Sequence, residues 1–152
     1  MAGISPTTGH GVTTVRPEAV PSDQERVMSF SQAVSSVLLN KYATFSGRAR
    51  RSEYWWWYLF VTIVYVIGGI LDRAIGLTYS DLTIGGGWIA TIALIVFLIP
   101  NLAVSVRRLH DTGRSGWWLL IGLVPVIGFF VLLYFFVLDS ENDNQYGPYP
   151  KA

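Results

Sequence analysis

Three long stretches without a charged side chain constrain this chain more than any other feature. Residues 54–71, 82–106 and 116–138 contain no Asp, Glu, Lys or Arg. A helix needs about 20 apolar residues to cross the roughly 30 Å hydrocarbon core of a bilayer. A helix at the surface of a soluble domain would instead carry charged side chains on its wet face. The sequence therefore predicts an all-α membrane protein with three transmembrane helices over these ranges.

A soluble domain built on buried helices is the alternative explanation of these stretches. It would require about 66 of the 152 residues to be interior at once. A domain of this size has too large a surface for its volume to bury so many residues. The membrane interpretation is therefore favoured.

The rest of the chain differs in composition from these stretches. Residues 1–27 mix Gly, Ser, Thr and Pro with charges of both signs, which is typical of a disordered N-terminal tail. Met28 marks where the membrane domain, residues 28–152, is expected to begin. Residues 29–42 have apolar positions at helical spacing and predict a short amphipathic helix, which either lies in the bilayer interface or packs against the bundle. Residues 139–152 form a polar tail.

Basic residues are concentrated on two of the segments that flank the spans. Arg48, Arg50 and Arg51 precede the first span, and Arg107, Arg108 and Arg114 lie between the second and third, whereas only Arg73 lies between the first and second. Cytoplasmic loops carry an excess of Lys and Arg, so the N-terminus and the second connection are expected to be cytoplasmic. A single crossing by 116–138 would place the tail outside. Pro125, with Gly122 and Gly128, leaves open a re-entrant hairpin that returns the tail to the cytoplasm.

The two basic segments also carry tryptophans at the expected level of the membrane interface. Arginine forks suit phosphate groups, and Trp side chains suit the boundary between headgroups and acyl chains. We therefore predict a shelf that binds anionic phospholipid or a protein partner, with Arg107, Arg108 and Arg114 supplying its charge. The alternative is that these residues only orient and anchor the helices. The candidate residues are Arg48, Arg51, Glu53, Arg107, Arg108, His110, Asp111, Arg114, Trp117 and Trp118.

Each basic segment contains an acid as well. Because both segments are expected on one side of the membrane, Asp111 is predicted to pair with an Arg of its own motif or of 48–51. Glu53 is predicted to meet an Arg of the other motif. The alternative is two independently solvated loops, since exposed ion pairs contribute only about 0–1 kcal/mol.

Several classes of chemistry find little support in the residues. The chain has no Cys, which excludes disulfides and thiolate metal sites. His110 and Asp111 are sequence neighbours, which point about 100° apart on a helix and so do not form a dyad. We predict no catalytic residues, no metal and no cofactor, and therefore no enzyme. The net charge of +1 gives no general attraction for nucleic acid.

A transporter or channel subunit is the alternative from another functional class. Transport pathways usually place ionisable side chains at membrane depth, and the three stretches have none. The polar candidates within them are Thr62, Thr91 and Asn101.

Three motifs give the chain a resemblance to a known family. Residues 45–55, 107–118 and 144–150 resemble the entry, central and closing motifs of the domain of unknown function 805 family, in that order. The resemblance covers about residues 28–151. It implies a helical protein of the bacterial cytoplasmic (inner) membrane, and it implies no activity.

The expected function is a structural, regulatory or lipid-interacting component of that membrane. The expected partners are membrane lipids, above all anionic phospholipid, with a membrane-protein partner or a second copy of the chain as further possibilities. A small-solute transporter or channel subunit is the alternative, and a membrane-embedded enzyme is the least favoured class.

Overall fold

The computed structural model describes residues 28–79 and 86–150. The predicted disordered tail, the first residues of the predicted second span and the last two residues lie outside these ranges. Within them the regular elements are helical, with two isolated β-bridges in the loops. They are α1 (Phe30–Ser35), a π-helical turn (Ser36–Asn40), α2 (Arg51–Ala74), α3 (Trp88–Asp111), a 3₁₀ helix (Gly116–Leu123) and α4 (Ile127–Val137).

Two of the described helices, α2 and α3, are long and apolar enough to cross a membrane. Each has 24 residues, about 36 Å at 1.5 Å per residue. Trp57 on α2 donates from its indole Nε1 to the Asn101 side-chain oxygen on α3, 2.7 Å away. The two backbones come close at Gly68, where a Cβ would be in ordinary van der Waals contact with the Ala90 backbone, 3.6 Å away. The two helices form an antiparallel pair, so the start of α2 and the end of α3 share one end of the molecule.

The second span is displaced along the chain relative to the prediction of 82–106. The helix α3 ends at Asp111, so the residues expected to open a polar connection instead form its last turn and a half. Basic residues in the last turn interact favourably with the negative end of the helix dipole. Acidic and carbonyl groups of other segments offset part of their charge, as described below.

Asp72 sets the start of α3, a role that the sequence analysis did not assign to it. This fully buried carboxylate on the last turns of α2 accepts from the backbone N–H groups of Ile89 and Ala90, at 2.9 and 3.0 Å. It thereby satisfies two of the N–H groups that every helix leaves unpaired at its N-terminus. Gly87 is required beside it, because a Cβ there would lie 2.2 Å from the Asp72 carboxyl carbon.

The amphipathic helix predicted over 29–42 is present as α1 and the π-helical turn. Ser29 caps it in a capping box with Gln32. Ala33 and Val37 are fully buried, and Phe30 lies edge-on to Trp56 of α2 with ring centroids 5.8 Å apart. Of the two interpretations left open by the sequence, the structure supports a helix that packs against the bundle.

Tyr42, two residues after the π-helical turn, compensates for a proline inside α3. Pro100 has no N–H, so the carbonyl of Val96 four residues earlier loses its helical partner. The Tyr42 hydroxyl donates to that Val96 carbonyl. A membrane-spanning helix tolerates proline where a neighbour satisfies the freed backbone group in this way.

The third predicted span is not confirmed as one continuous helix. Residues 116–138 form the 3₁₀ helix and α4, which pack against each other. Each is about 16 Å long, half of the hydrocarbon thickness. The chain reverses at Val126, whose φ of 64° and the 2.7 Å bond from the Ile127 N–H to the Pro125 carbonyl define a tight γ-turn. The stretch is a hairpin because Pro125 and the close approach of Gly128 to the Ile121 carbonyl allow the two halves to fold back.

Candidate functional site

Five charged side chains are buried together at the end of the molecule where α2 begins and α3 ends. We call them the arginine cluster: Arg48, Glu53, Arg107, Arg108 and Asp111. Arg107, Arg108 and Asp111 lie on the last turns of α3, Glu53 lies on the first turn of α2, and Arg48 lies on the segment before it. The antiparallel pairing of the two long helices is what brings these parts of the chain together.

Asp111 is the centre of one half of the cluster. Its Oδ1 accepts from Nε of Arg48 at 3.1 Å, and Nη2 of the same guanidinium lies 3.0 Å away in an ion pair. Its Oδ2 accepts from Nη1 of Arg108 and from the hydroxyl of Ser140. Asp111 is predicted to pair with an Arg of its own motif or of 48–51, and it pairs with one of each, so the alternative of two solvated loops is wrong.

Arg48 connects Asp111 to the C-terminal tail. Beyond the carboxylate, its guanidinium donates to four main-chain carbonyls: Asp111 at 3.1 Å, Glu141 at 2.6 Å, Asn142 at 2.9 Å and Gly147 at 3.0 Å. Three of these carbonyls belong to the tail. Arg48 is thus a structural centre on which the tail is folded.

Arg108 holds the end of the hairpin in the same way. Its Nε and Nη2 both donate to the Phe136 carbonyl, each at 3.2 Å, and Nη2 also donates to the Leu138 carbonyl. The last carbonyls of α4 have no partner within the helix, so this guanidinium satisfies groups that would otherwise be exposed in an apolar layer.

Glu53 is the centre of the other half. Its Oε1 accepts from Nη1 of Arg107 at 2.7 Å and from the Ser36 hydroxyl at 3.2 Å, and the Lys41 ammonium lies 3.7 Å away. The predicted pairing of Glu53 with an Arg of the other motif is present. Nε and Nη2 of Arg107 have no hydrogen-bond partner among the described residues.

His110 lies at the side of the cluster and contacts the C-terminal tail. Its Nδ1 is 3.1 Å from the Gly47 carbonyl, and its ring stacks on Tyr146 with centroids 3.9 Å apart and planes 1° from parallel. The His110 carbonyl accepts from the side-chain amide of Asn144 at 2.9 Å. This arrangement does not join the His110 ring to Asp111 as a proton relay.

The remaining candidates lie nearer the surface. Arg51 is exposed on the first turn of α2. Arg114 donates to the Thr112 carbonyl at 2.8 Å, and its guanidinium carbon lies 4.2 Å from the centre of the Phe135 ring. Ser115 caps the 3₁₀ helix, and Trp117 and Trp118, which follow it, are exposed to 78% and 46%.

The predicted source of charge for the phospholipid shelf requires correction. Arg107 and Arg108 are buried to within 1% and are engaged inside the protein, so they do not present charge to a headgroup at the surface. The physical reason is that a guanidinium taken out of water needs compensating partners, which Glu53, Asp111 and the end of α4 supply. Of the three arginines assigned to the shelf, Arg114 alone is partly exposed.

The tail was missed as part of the site. The sequence analysis treated 139–152 as a polar tail, yet its carbonyls, Ser140 and Asn144 complete the cluster. The signal available was the closing motif, in which Asn144 and Gly147 pair through their own backbone groups in a tight loop. Every residue carries the same backbone carbonyl, so the sequence could not predict which carbonyls contact Arg48.

A groove of about 540 Å³ runs beside the cluster between α3 and the hairpin. His110 and Ser115 lie at its polar end, and Leu102 lies about 12 Å deeper, eight residues back along α3. A second groove of about 360 Å³ lies between α2 and α4. The first groove is lined by Phe45, Leu102, Val106, His110, Ser115, Gly116, Trp117, Leu119 and Leu120.

The described residues hold no group of three or more His, Asp or Glu side chains placed to bind a metal ion. The buried acids accept hydrogen bonds from arginine, serine or backbone N–H groups.

Comparison with known proteins agrees with the residue patterns. A family model described as "Protein of unknown function (DUF805)" matches residues 42–148. The chain is 40% identical over 115 residues to the inner membrane protein YhaH of Escherichia coli K12, covering 75% of this chain and 93% of that protein. It is 41% identical over 115 residues to the inner membrane protein YhaI of the same strain, covering 75% and 92%. No solved structure matches. With its two membrane-capable helices and all three motifs within or adjoining the matched range, this chain is a membrane protein of the DUF805 family.

Proposed function

We propose that this protein is a lipid-interacting component of the bacterial cytoplasmic membrane, which holds a phospholipid in the groove between α3 and the hairpin. The groove is the observation that carries the proposal. It is apolar over most of its length and has polar groups only at the end where the arginine cluster lies. A phospholipid has the same division, with acyl chains below a polar headgroup.

The expected occupant is an anionic phospholipid. Arg114 and Ser115 lie where the 3₁₀ helix begins, and Trp117 is exposed in the same turn. A basic residue near the surface contributes about 1 kcal/mol of attraction for anionic lipid, and tryptophan favours the interfacial layer. This selectivity rests on Arg114, not on the buried arginines of the cluster.

The proposed orientation places the N-terminus, the arginine cluster and the tail in the cytoplasm. The arginines of both motifs lie at one end of the α2–α3 pair, and Arg73 lies at the other. Positively charged segments remain on the cytoplasmic side. In this threading the protein crosses the membrane twice, and 116–138 enters and leaves on the cytoplasmic side.

A lipid-interacting role requires no catalytic chemistry. We do not favour the transporter alternative. The polar side chains offered by the sequence as pathway residues are engaged within the chain. Asn101 accepts from Trp57, Thr62 donates to the Tyr58 carbonyl at 2.9 Å, and Thr91 donates to the Gly87 carbonyl at 2.8 Å.

Native mass spectrometry of the full chain with defined lipids tests the proposal. We expect retention of phosphatidylglycerol in preference to phosphatidylcholine, and a several-fold loss of retained lipid in Leu102→Trp, because the larger side chain fills the groove. Leu94→Trp is the matched control, since Leu94 is comparably exposed on the same helix two turns away from the lining residues. Equal retention in Leu102→Trp and the wild type would contradict lipid binding in the groove. Equal retention of the two lipids would contradict the preference for anionic phospholipid.

A further inference from the structure

The side chain of Arg107 differs from the other two arginines of the cluster in one respect. Nε and Nη2 of a guanidinium form one edge with two parallel donors, which is the edge that binds a two-oxygen acceptor. In Arg48 this edge faces Asp111, and in Arg108 it faces the Phe136 carbonyl. In Arg107 both nitrogens of the edge are buried and have no partner among the described residues.

The charge balance points in the same direction. The buried cluster contains three guanidinium groups and two carboxylates, so one positive charge is not compensated within it. The ammonium of Lys41 lies 3.7 Å from Glu53 and adds to the excess. An uncompensated charge and two unpaired donors are costly in a buried site, and an anion with two oxygens would satisfy both.

The geometry points to an oxyanion site of the phosphate class on the Nε–Nη2 edge of Arg107, with the ammonium of Lys41, beside Glu53, as a further positive charge nearby. Glu53 orients the guanidinium by holding Nη1, which leaves the free edge fixed in direction. The chemistry suits the phosphate of a phospholipid headgroup and free inorganic phosphate equally. This site is separate from the groove beside α3, whose lining does not include Arg107.

The test is a thermal unfolding titration of the full chain in a phosphorus-free maltoside detergent. Inorganic phosphate is added against chloride at equal ionic strength, and phosphatidylglycerol is added in a separate arm. We expect phosphate to raise the unfolding midpoint of the wild type in a saturable way. Arg107→Lys should weaken the apparent phosphate affinity about tenfold or more, because it keeps the charge beside Glu53 and loses the fork. Arg73→Gln, which removes a charge at the other end of the molecule, should leave the affinity unchanged.

The two arms identify the source of the phosphate group. If the occupant is a headgroup, phosphatidylglycerol alone raises the midpoint and abolishes the effect of added phosphate. If it is free phosphate, the lipid leaves the phosphate effect intact. Leu102→Trp should leave the phosphate effect unchanged and remove only the part of the phosphatidylglycerol effect that comes from the groove, so failure of the groove and failure of this site are distinguishable.

Two outcomes would overturn the inference. One is the absence of any rise above chloride in both arms, which would mean that the edge holds only water. The other is an equal response in Arg107→Lys. Should that variant not fold, Lys41→Gln decides: loss of this nearby cation should lower the affinity of an anion held by Arg107, and an unchanged phosphate affinity would likewise reject the site.

Discussion

Most ion pairs of the arginine cluster involve the carboxylate of Asp111. It pairs with Arg48 and Arg108, and all three side chains are buried. Removing one partner of a buried ion pair costs about 3–5 kcal/mol, because the remaining charges are left uncompensated. We therefore expect Asp111→Asn to lower the thermal unfolding midpoint strongly and to expose residues 139–150 to limited proteolysis.

Asp143→Asn is the matched control for this prediction. Like Asp111→Asn, it replaces one acid by an amide of the same shape. Asp143 is exposed, however. Its Oδ1 accepts from the Tyr149 N–H at 2.8 Å, and the side-chain oxygen of Asn can accept the same bond. A midpoint equal to that of the wild type is expected. Similar midpoints for Asp111→Asn and Asp143→Asn would mean that Asp111 contributes no more than a surface acid.

At the scale of the elements, the proline in α3 and the segment after the π-helical turn are coupled through one hydrogen bond. Tyr42→Phe removes the donor to the Val96 carbonyl, and we expect a loss of about 0.6–1 kcal/mol, the usual net value of such a bond. In a Pro100→Ala background the N–H restored at position 100 can satisfy that carbonyl, so Tyr42→Phe should then cost little. Unfolding midpoints of the two single variants and the double variant measure this coupling. Additive effects would show that Tyr42 and Pro100 act independently.

The elements also show where sequence patterns are sufficient. Uncharged length alone located both membrane-capable helices, because the pattern of charge depends only on residue type. The third stretch has the same composition, and its break depends on a reversal at Val126 that composition does not encode. Pro125 and the neighbouring glycines indicated that a hairpin was possible, and the packing of its two halves decided it.

At the scale of the whole molecule, the path of the chain through the membrane is directly testable because the protein has no cysteine. Single-cysteine variants at exposed positions report their side by labelling with an impermeant maleimide. We expect Ser46→Cys and Gln145→Cys to be labelled from one side and Ile75→Cys from the other, since the arginine cluster and the tail share one end. Labelling of Gln145→Cys from the side of Ile75→Cys would restore a single crossing by 116–138.

The sequence by itself determined the helical membrane class, the approximate positions of α2 and α3, and the acids that pair with arginine. These follow from hydropathy and charge, which are properties of residues and their near neighbours. The tertiary structure decided which arginines are buried, how the tail is folded onto Arg48, why Asp72 begins α3, and why Tyr42 is needed beside Pro100. The last three of these rest on a hydrogen bond to a backbone group distant in sequence, and every residue carries the same backbone groups. Residue types therefore marked one partner of these contacts, and only the packing of the helices identified the other.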